Sequence, residues 1–306
     1  MNDTTLALLG VTAGLSLGIA AASLAKGSSY ANADNRCAVR SGREGRSSKD
    51  GFTVSHGERE QSNLAALTGD QEQHEAALRG GFSMSDAMKH NAKIGAASSN
   101  VTPEEVLRSL QRGNTRFWMG KATRPEASAF ERRAMIMAQH PSVAILGCAD
   151  ARVPIEIIFD QGLGDIFTIR VAGNCLETCT MGSLEYAVIH LKVKCVVIMG
   201  HEGCGAIQAA RMPVKDLENM SKDLGDLLKG LKSGLDEKRL CQVIDKRASD
   251  REAATTNVKN QVARLLQNKA VKKRVASGEL IVVGAFYEQS SGIVDFFRIE
   301  DMGLHA

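Results

Sequence analysis

Two short segments of this sequence hold residue types that do chemistry. The first is Gly147-Cys148-Ala149-Asp150-Ala151-Arg152, and the second is Gly200-His201-Glu202-Gly203-Cys204-Gly205-Ala206. Two thiolates and one imidazole make a zinc ligand set, because soft sulfur and borderline nitrogen select zinc over calcium or magnesium. His201 and Cys204 stand three apart, which brings both side chains to one side of a tight turn. Three protein ligands leave a fourth position open, the catalytic rather than the structural arrangement. Asp150 can fill that position with an oxygen, as a ligand of a closed state, or be held away from it by Arg152 through a charge-assisted pair.

Isolated cysteines and histidines are usually core residues. Cys195 inside an apolar run, Cys175 and Cys179 after one, and His190 on a helix are read that way. The functional reading of Cys148, His201 and Cys204 rests on three ligand types arriving together, with glycines beside each and at the same end of two strands.

Those strands are the elements that must position them. Val143–Leu146 and Cys195–Met199 are continuous apolar runs, the pattern of strands buried on both faces. Ile166–Val171, Leu280–Phe286 and Ile293–Ile299 add three more, the last after the turn Ser290-Ser291-Gly292. Helical stretches alternate with them at Thr180–His190, 213–239 and Asn257–Val275, and Thr102-Pro103-Glu104-Glu105 is a capping box that opens a helix over 102–112. The fold class that follows is α/β, a mostly parallel central β-sheet flanked by helices, preceded by an N-terminal hydrophobic helix and a linker. In such sheets ligands bind beyond the carboxyl ends of strands, where strand order reverses. If Val143–Leu146 and Cys195–Met199 are neighbours there, the three candidate ligands converge.

The chain divides into residues 1–26, a hydrophobic anchor or targeting segment; 27–100, a polar, partly flexible tether with short helical pieces at Leu64–Leu78 and Met84–His90; and 101–306, a zinc-dependent catalytic domain. Residues 4–25 carry no charge over 22 positions, enough to span a bilayer, and Gly10, Gly14 and Gly18 repeat at the interval that lets membrane helices approach. Ala31-Asn32-Ala33 resembles a cleavage site, although no basic residue precedes the apolar run. The expected location is therefore membrane-associated or organelle-targeted, by an anchor or a cleaved segment, with possible membrane association through residues 4–25.

Across 306 residues, Lys plus Arg is 38 and Asp plus Glu is 35, a net charge of +3 that argues against a nucleic-acid partner. Seven cysteines, an odd number in so long a chain, suit a reducing compartment better than a disulfide scaffold.

The segments Cys148-Ala149-Asp150-Ala151-Arg152 and His201-Glu202-Gly203-Cys204 resemble the C-x-D-x-R and H-x-x-C motifs of the beta-class carbonic anhydrases. The likeness extends through Ile158–Asp165, Arg170-Val171-Ala172-Gly173-Asn174, Gly182–Ala187 and Val282–Phe286, covering about residues 100–306. It implies reversible hydration of carbon dioxide to bicarbonate and a proton by zinc-bound hydroxide, on one zinc ion per chain held by Cys148, His201 and Cys204. Asp150 and Arg152 become the dyad beside the open position, and Gln161 and Gly205 candidates for the substrate pocket. The resemblance further implies a homodimer or higher homo-oligomer, joined partly through the helix over 102–112. Ile145 stands where one branch of the family carries the tryptophan of a noncatalytic bicarbonate pocket.

Rival functions are hydrolysis of carbonyl sulfide or carbon disulfide on the same scaffold, and a non-catalytic zinc-binding scaffold tethered to a membrane. The Asp150–Arg152 pair speaks against the second, since a structural site needs no gated fourth position. A nicotinamide dehydrogenase fails on the absence of G-x-G-x-x-G after any strand.

Overall fold

The protein is described by a computed structural model, from residue 83 to residue 305. The hydrophobic segment expected over 4–25 and the greater part of the expected tether lie outside the described residues.

Ser83 caps helix α1 (Met84–Asn100), its hydroxyl accepting the Asp86 N–H at 3.3 Å. Local periodicity shows only a short piece here, Met84–His90. The helix runs further because buried Asn91 donates to the carbonyls of Ala134 and Ala138, at 3.2 and 2.8 Å, and so ties α1 to helix α3 (Ala129–Met135). Between them lies α2 (Pro103–Trp118), opened by the capping box read from the sequence: Thr102 N–H donates to Glu105 Oε2 at 2.9 Å and Glu105 N–H to Thr102 Oγ1 at 3.3 Å. Strand β1 (Val143–Cys148) follows, then the single turn α4 (Ile155–Ile158), strand β2 (Ile166–Val171) and helix α5 (Thr178–Tyr186).

A wider turn over Ala187–Leu191 ends α5 and leads into β3 (Cys195–His201). The charged region after β3 breaks into four short helices: α6 (Gly205–Ala210), α7 (Val214–Glu218), α8 (Lys222–Lys232) and α9 (Glu237–Leu240). The helix expected over Asn257–Val275 is two, α10 (Lys246–Leu266) and α11 (Lys269–Ala276). Asn268 divides them, because its side-chain oxygen accepts the N–H groups of Ala270 and Val271 and starts a new helix. Strands β4 (Ile281–Tyr287) and β5 (Val294–Arg298) close the fold.

The five strands form one sheet in the order β2-β1-β3-β4-β5, with β1 to β4 parallel and β5 antiparallel to β4. Alternate residues feed two apolar layers. Ala144, Leu146, Val196 and Ile198 face Val258, Val262 and Leu265 of α10, whereas Val143, Ile145, Val197 and Met199 face Val106, Leu107 and Leu110 of α2. The α/β class, with a mostly parallel sheet flanked by helices, stands.

The expected membrane location does not. Among the described residues no helix is long and apolar enough to cross a membrane. The membrane placement is corrected on that finding; residues 4–25 themselves lie outside the described residues.

Helix α2 also fixes the loop that leaves α4. Gly113 lets the two backbones touch, for a Cβ there would lie 1.8 Å from the Phe159 carbonyl oxygen. Asn114 donates to the carbonyls of Ile158 and Gly292. Burial alone would push the Asp160 carboxyl up, but the Arg116 guanidinium and the N–H groups of Arg124 and Thr123 outweigh it and bring it down to about 2. A depressed carboxyl stabilises the fold above its ordinary value, and that stabilisation is lost as pH falls through about 2. Asp160→Asn is expected to cost about 2 kcal/mol at neutral pH. Urea unfolding from pH 7 to pH 2 should show that deficit shrinking as the wild-type carboxylate protonates.

Candidate metal centre

The chain leaves β1 to one side to form β2 and returns on the other side as β3, so strand order reverses between β1 and β3. A crevice at the carboxyl ends of these two strands is the consequence. Cys148 ends β1 and His201 ends β3. Cys204 follows through a turn in which Gly203 adopts φ +66°, and it precedes α6. Cys148, His201 and Cys204 are all buried, and their ligand atoms lie within 4.8 Å of one another.

The two sulfurs are 3.9 Å apart. Two Zn–S bonds of about 2.3 Å at a tetrahedral angle would set them about 3.8 Å apart. His201 is fully buried, and its Nε2 has no hydrogen-bond partner. A buried ring nitrogen without a partner is costly, and this one lies in the group with the two sulfurs. A borderline-soft cation fits the donor set and would satisfy that nitrogen.

The protein supplies partial positive charge to the sulfur of Cys148. The backbone N–H of Gly173 donates to its Sγ at 3.4 Å. Hydrogen bonding with the Cys204 thiol, aided by His201 and by the Asp150 and Gly173 backbone, holds the Cys148 thiol far below its ordinary range against the cost of burial. The same contact, together with burial, pushes Cys204 up. Gly173 sits at φ +66°, where a Cβ would lie 2.6 Å from Leu231 Cδ1, so glycine is required there. Asn257 of α10 holds the same turn by donating to the Gly173 carbonyl at 2.9 Å.

Asp150 and Arg152 stand at the rim. Arg152 grips the carboxylate with both arms, Nε to Oδ1 at 2.9 Å and Nη2 to Oδ2 at 2.7 Å, while its own N–H donates to Oδ1 at 2.9 Å. This clamp, first of all, holds the Asp150 carboxyl well below the usual carboxylate range. Asp150 Oδ2 remains 4.0 Å from His201 Nε2, so the carboxylate faces the cluster without entering it. Arg152 also donates to the Gly203 carbonyl at 3.3 Å, fastening the dyad to the turn that carries Cys204.

The two pocket candidates lie differently. Gln161 spends its amide on the carbonyls of Phe159 and Asp160, and none of its hydrogen bonds reaches the cluster. Gly205 is exposed at the start of α6 with open space around it, beside Cys204. Cys195 is fully buried and its thiol is pushed up by burial, as is that of Cys175, to about 11. Cys179 is exposed, and neither it nor Cys175 is in a disulfide.

Several contributors have no single-residue signature. Arg170 donates to the carbonyls of Cys148 and Asp150, at 3.0 and 2.6 Å, and pins the C-x-D-x-R turn. Arg247 of α10 donates to Glu202 at 2.8 Å and to Ser290 Oγ at 2.8 Å. Gln289 approaches His201 Nδ1 at 2.9 Å across 88 residues of sequence. Arg170, Glu202 and Ser290 lie in segments that the sequence had drawn attention to, whereas Arg247 and Gln289 do not.

Residues 143–294 match the sequence profile of the family described as Carbonic anhydrase. Carbonic anhydrase 2 of Mycobacterium tuberculosis is 36% identical over 202 residues, covering 63% of this chain and 92% of that protein. Carbonic anhydrase of Mycolicibacterium smegmatis is 34% identical over 205 residues, covering 64% of this chain and 94% of that protein. Among solved structures, a tetrameric beta-carbonic anhydrase of Sordaria macrospora aligns at TM-score 0.50 and 27% identity, over 54% of this chain and 84% of that one. A Coccomyxa beta-carbonic anhydrase in complex with acetazolamide aligns at TM-score 0.50 and 26% identity, over 57% of this chain and 82% of that one.

Removing the Arg152 guanidinium deletes the cation that favours the charged form of Asp150. In Arg152→Ala the Asp150 carboxyl is expected to rise by roughly 1 to 3 pKa units. A carbon-detected NMR titration of the side-chain carboxyls reads the change, and an unmoved Asp150 would rule the clamp out as its cause.

Proposed function

The chain belongs to the beta-class carbonic anhydrases, and from that premise we propose that it hydrates carbon dioxide on one zinc ion held by Cys148, His201 and Cys204, with Asp150 and Arg152 directing the attacking water. Membership in the family carries carbonate dehydratase activity with it. The observation that supports the ligand assignment is the unpartnered Nε2 of fully buried His201 beside two sulfurs 3.9 Å apart.

Zinc in this donor set supplies the Lewis acidity that makes water a nucleophile near neutral pH. The residues of the chain do the rest. Cys148 and Cys204 contribute anionic sulfur, which offsets the charge of the cation and keeps a desolvated centre from being strongly electropositive. Asp150 stays ionised at neutral pH, since Arg152 holds its carboxyl far down, so it can only accept a hydrogen bond. It therefore orients the water by one of its protons and leaves an oxygen lone pair directed at the carbon of the substrate. Arg152 keeps Asp150 from swinging inward and becoming a fourth ligand. Burial of Cys148, His201 and Cys204 keeps bulk water from competing for the first three positions.

Assembly is part of the proposal. Strand β2 is an edge strand, half-buried along most of its length, and Ile157, Leu163, Tyr186 and Ile189 are exposed apolar side chains in the elements around it. An open parallel edge with nearby apolar surface is suited to pairing with a second copy. The chain is expected to run as a homodimer or larger in light scattering.

Stopped-flow carbon dioxide hydration with zinc counted per chain tests the assignment. Wild-type protein should carry one zinc per chain and turn over. Cys148→Ser should lose both metal and activity. Arg152→Ala should keep its zinc and lose activity by roughly 10²-fold or more, because the carboxylate is no longer aligned. An Arg152→Ala enzyme at full speed would remove the dyad from the mechanism.

A further inference from the structure

An imidazole ligand works only if its other nitrogen carries the proton, because the metal needs the lone pair of the first. In this protein His201 Nε2 faces the sulfurs and Nδ1 faces away. Two groups meet Nδ1, each at 2.9 Å: the carbonyl oxygen of Glu202 and the side-chain amide of Gln289. The carbonyl can only accept, so Nδ1 must be the N–H. A donor cannot share its proton with an NH₂ group. As placed, the amide nitrogen of Gln289 is the atom beside Nδ1; a half-turn of the amide exchanges its nitrogen and oxygen, and a donor at Nδ1 requires the exchanged orientation, with the oxygen toward the ring.

We propose that Gln289 is a positioning residue, whose side-chain oxygen joins the Glu202 carbonyl in holding His201 as the Nδ1–H tautomer with Nε2 aimed at Cys148 and Cys204. The inference rests on the reading of these three residues as zinc ligands.

The surroundings are built to keep Gln289 in place. It lies in the connection between β4 and β5, where Glu288 N–H donates to the Ile293 carbonyl and Gly292 N–H to the Glu288 carbonyl, each at 2.9 Å. The next residue, Ser290, donates its N–H to Glu202 Oε2 at 3.0 Å. Arg247 ties the two sides together, since it reaches Glu202, Glu288 and Ser290 at once. Glu202 N–H in turn donates to the Tyr287 carbonyl at 2.9 Å. The turn carrying His201 and Cys204 and the loop carrying Gln289 thus form one latched unit. Gln289 is the member of that loop whose side chain touches the ligand.

Partners of this kind raise the basicity of a ligating imidazole and fix its ring, and losing one typically weakens metal binding 10- to 100-fold. The experiment compares full-length, zinc-loaded wild type, Gln289→Leu and Gln289→Glu during zinc transfer to a chromophoric chelator. Gln289→Leu should hold zinc 10- to 100-fold more weakly than wild type. Gln289→Glu keeps the acceptor and should retain zinc at least as long as wild type. Thermal unfolding of the zinc-free proteins should leave the three alike, which a purely structural role for Gln289 would not. If Gln289→Leu does not fold, Gln289→Ser carries the same comparison. Zinc retention by Gln289→Leu equal to wild type overturns the proposal, as does failure of Gln289→Glu to behave differently from Gln289→Leu. Wild-type protein that takes up no zinc overturns instead the ligand reading beneath it, and this inference with it.

Discussion

Two thiols and an imidazole buried with their ligand atoms within 4.8 Å of one another must find partners for their polar atoms, because a buried polar group without one is costly. Contact between the two sulfurs holds the Cys148 thiol down and, together with burial, pushes the Cys204 thiol up. Much of the surrounding structure answers the same demand. Gly173 turns its N–H onto one sulfur, and the first N–H groups of α6, from Ala206 and Ile207, lower the other. Cys175, Ile207, Leu228 and Leu231 belong to the same apolar cluster as Cys148 and Cys204. Apolar residues wall the sulfurs while backbone donors reach them.

A parallel sheet is what brings these donors together. Neighbouring strands running the same way end on the same edge, so Cys148 and His201 meet although 53 positions separate their numbers. The long helix α10 then does double duty. Val258, Val262 and Leu265 cover one face of the sheet, and polar residues of the same helix reach the rim: Asn257 to the Gly173 turn and Arg247 to Glu202. One helix thereby couples the packing of the core to the geometry of the site, which makes a rigid frame for a reaction that depends on alignment.

The rim shows the complementary use of charge. Asp150 is an acceptor with both oxygens engaged by Arg152, close to His201 but outside bonding distance. An arginine fork clamps a carboxylate in one plane, which a lysine could not do. The Gly203 carbonyl extends that clamp to the second ligand turn. What the fork costs in side-chain freedom is returned as a fixed direction for the carboxylate.

Much of this was legible from residue types alone. Ligand chemistry is a property of side chains, so Cys148, His201, Cys204, Asp150 and Arg152 could be picked out by type and spacing. The buried runs Val143–Leu146 and Cys195–Met199 declared parallel strands because both faces must be covered. Thr102 and Glu105 declared a helix start because capping is local. Helix α1 beyond His90 and the break at Asn268 were hidden, the first because it depends on Asn91 meeting Ala134 and Ala138, the second because a cap competes with an otherwise continuous apolar face. The partners of the ligands were hidden for the same reason. Gln289, Arg247 and Asn257 are ordinary polar residues in sequence, and only strand order and the seating of α10 bring them to His201, Glu202 and Gly173. Sequence by itself determined which atoms could bind a metal, since that depends on side-chain chemistry. Tertiary structure decided which proton, which carbonyl and which guanidinium hold those atoms in position, since hydrogen bonds form by distance in space and not by distance along the chain.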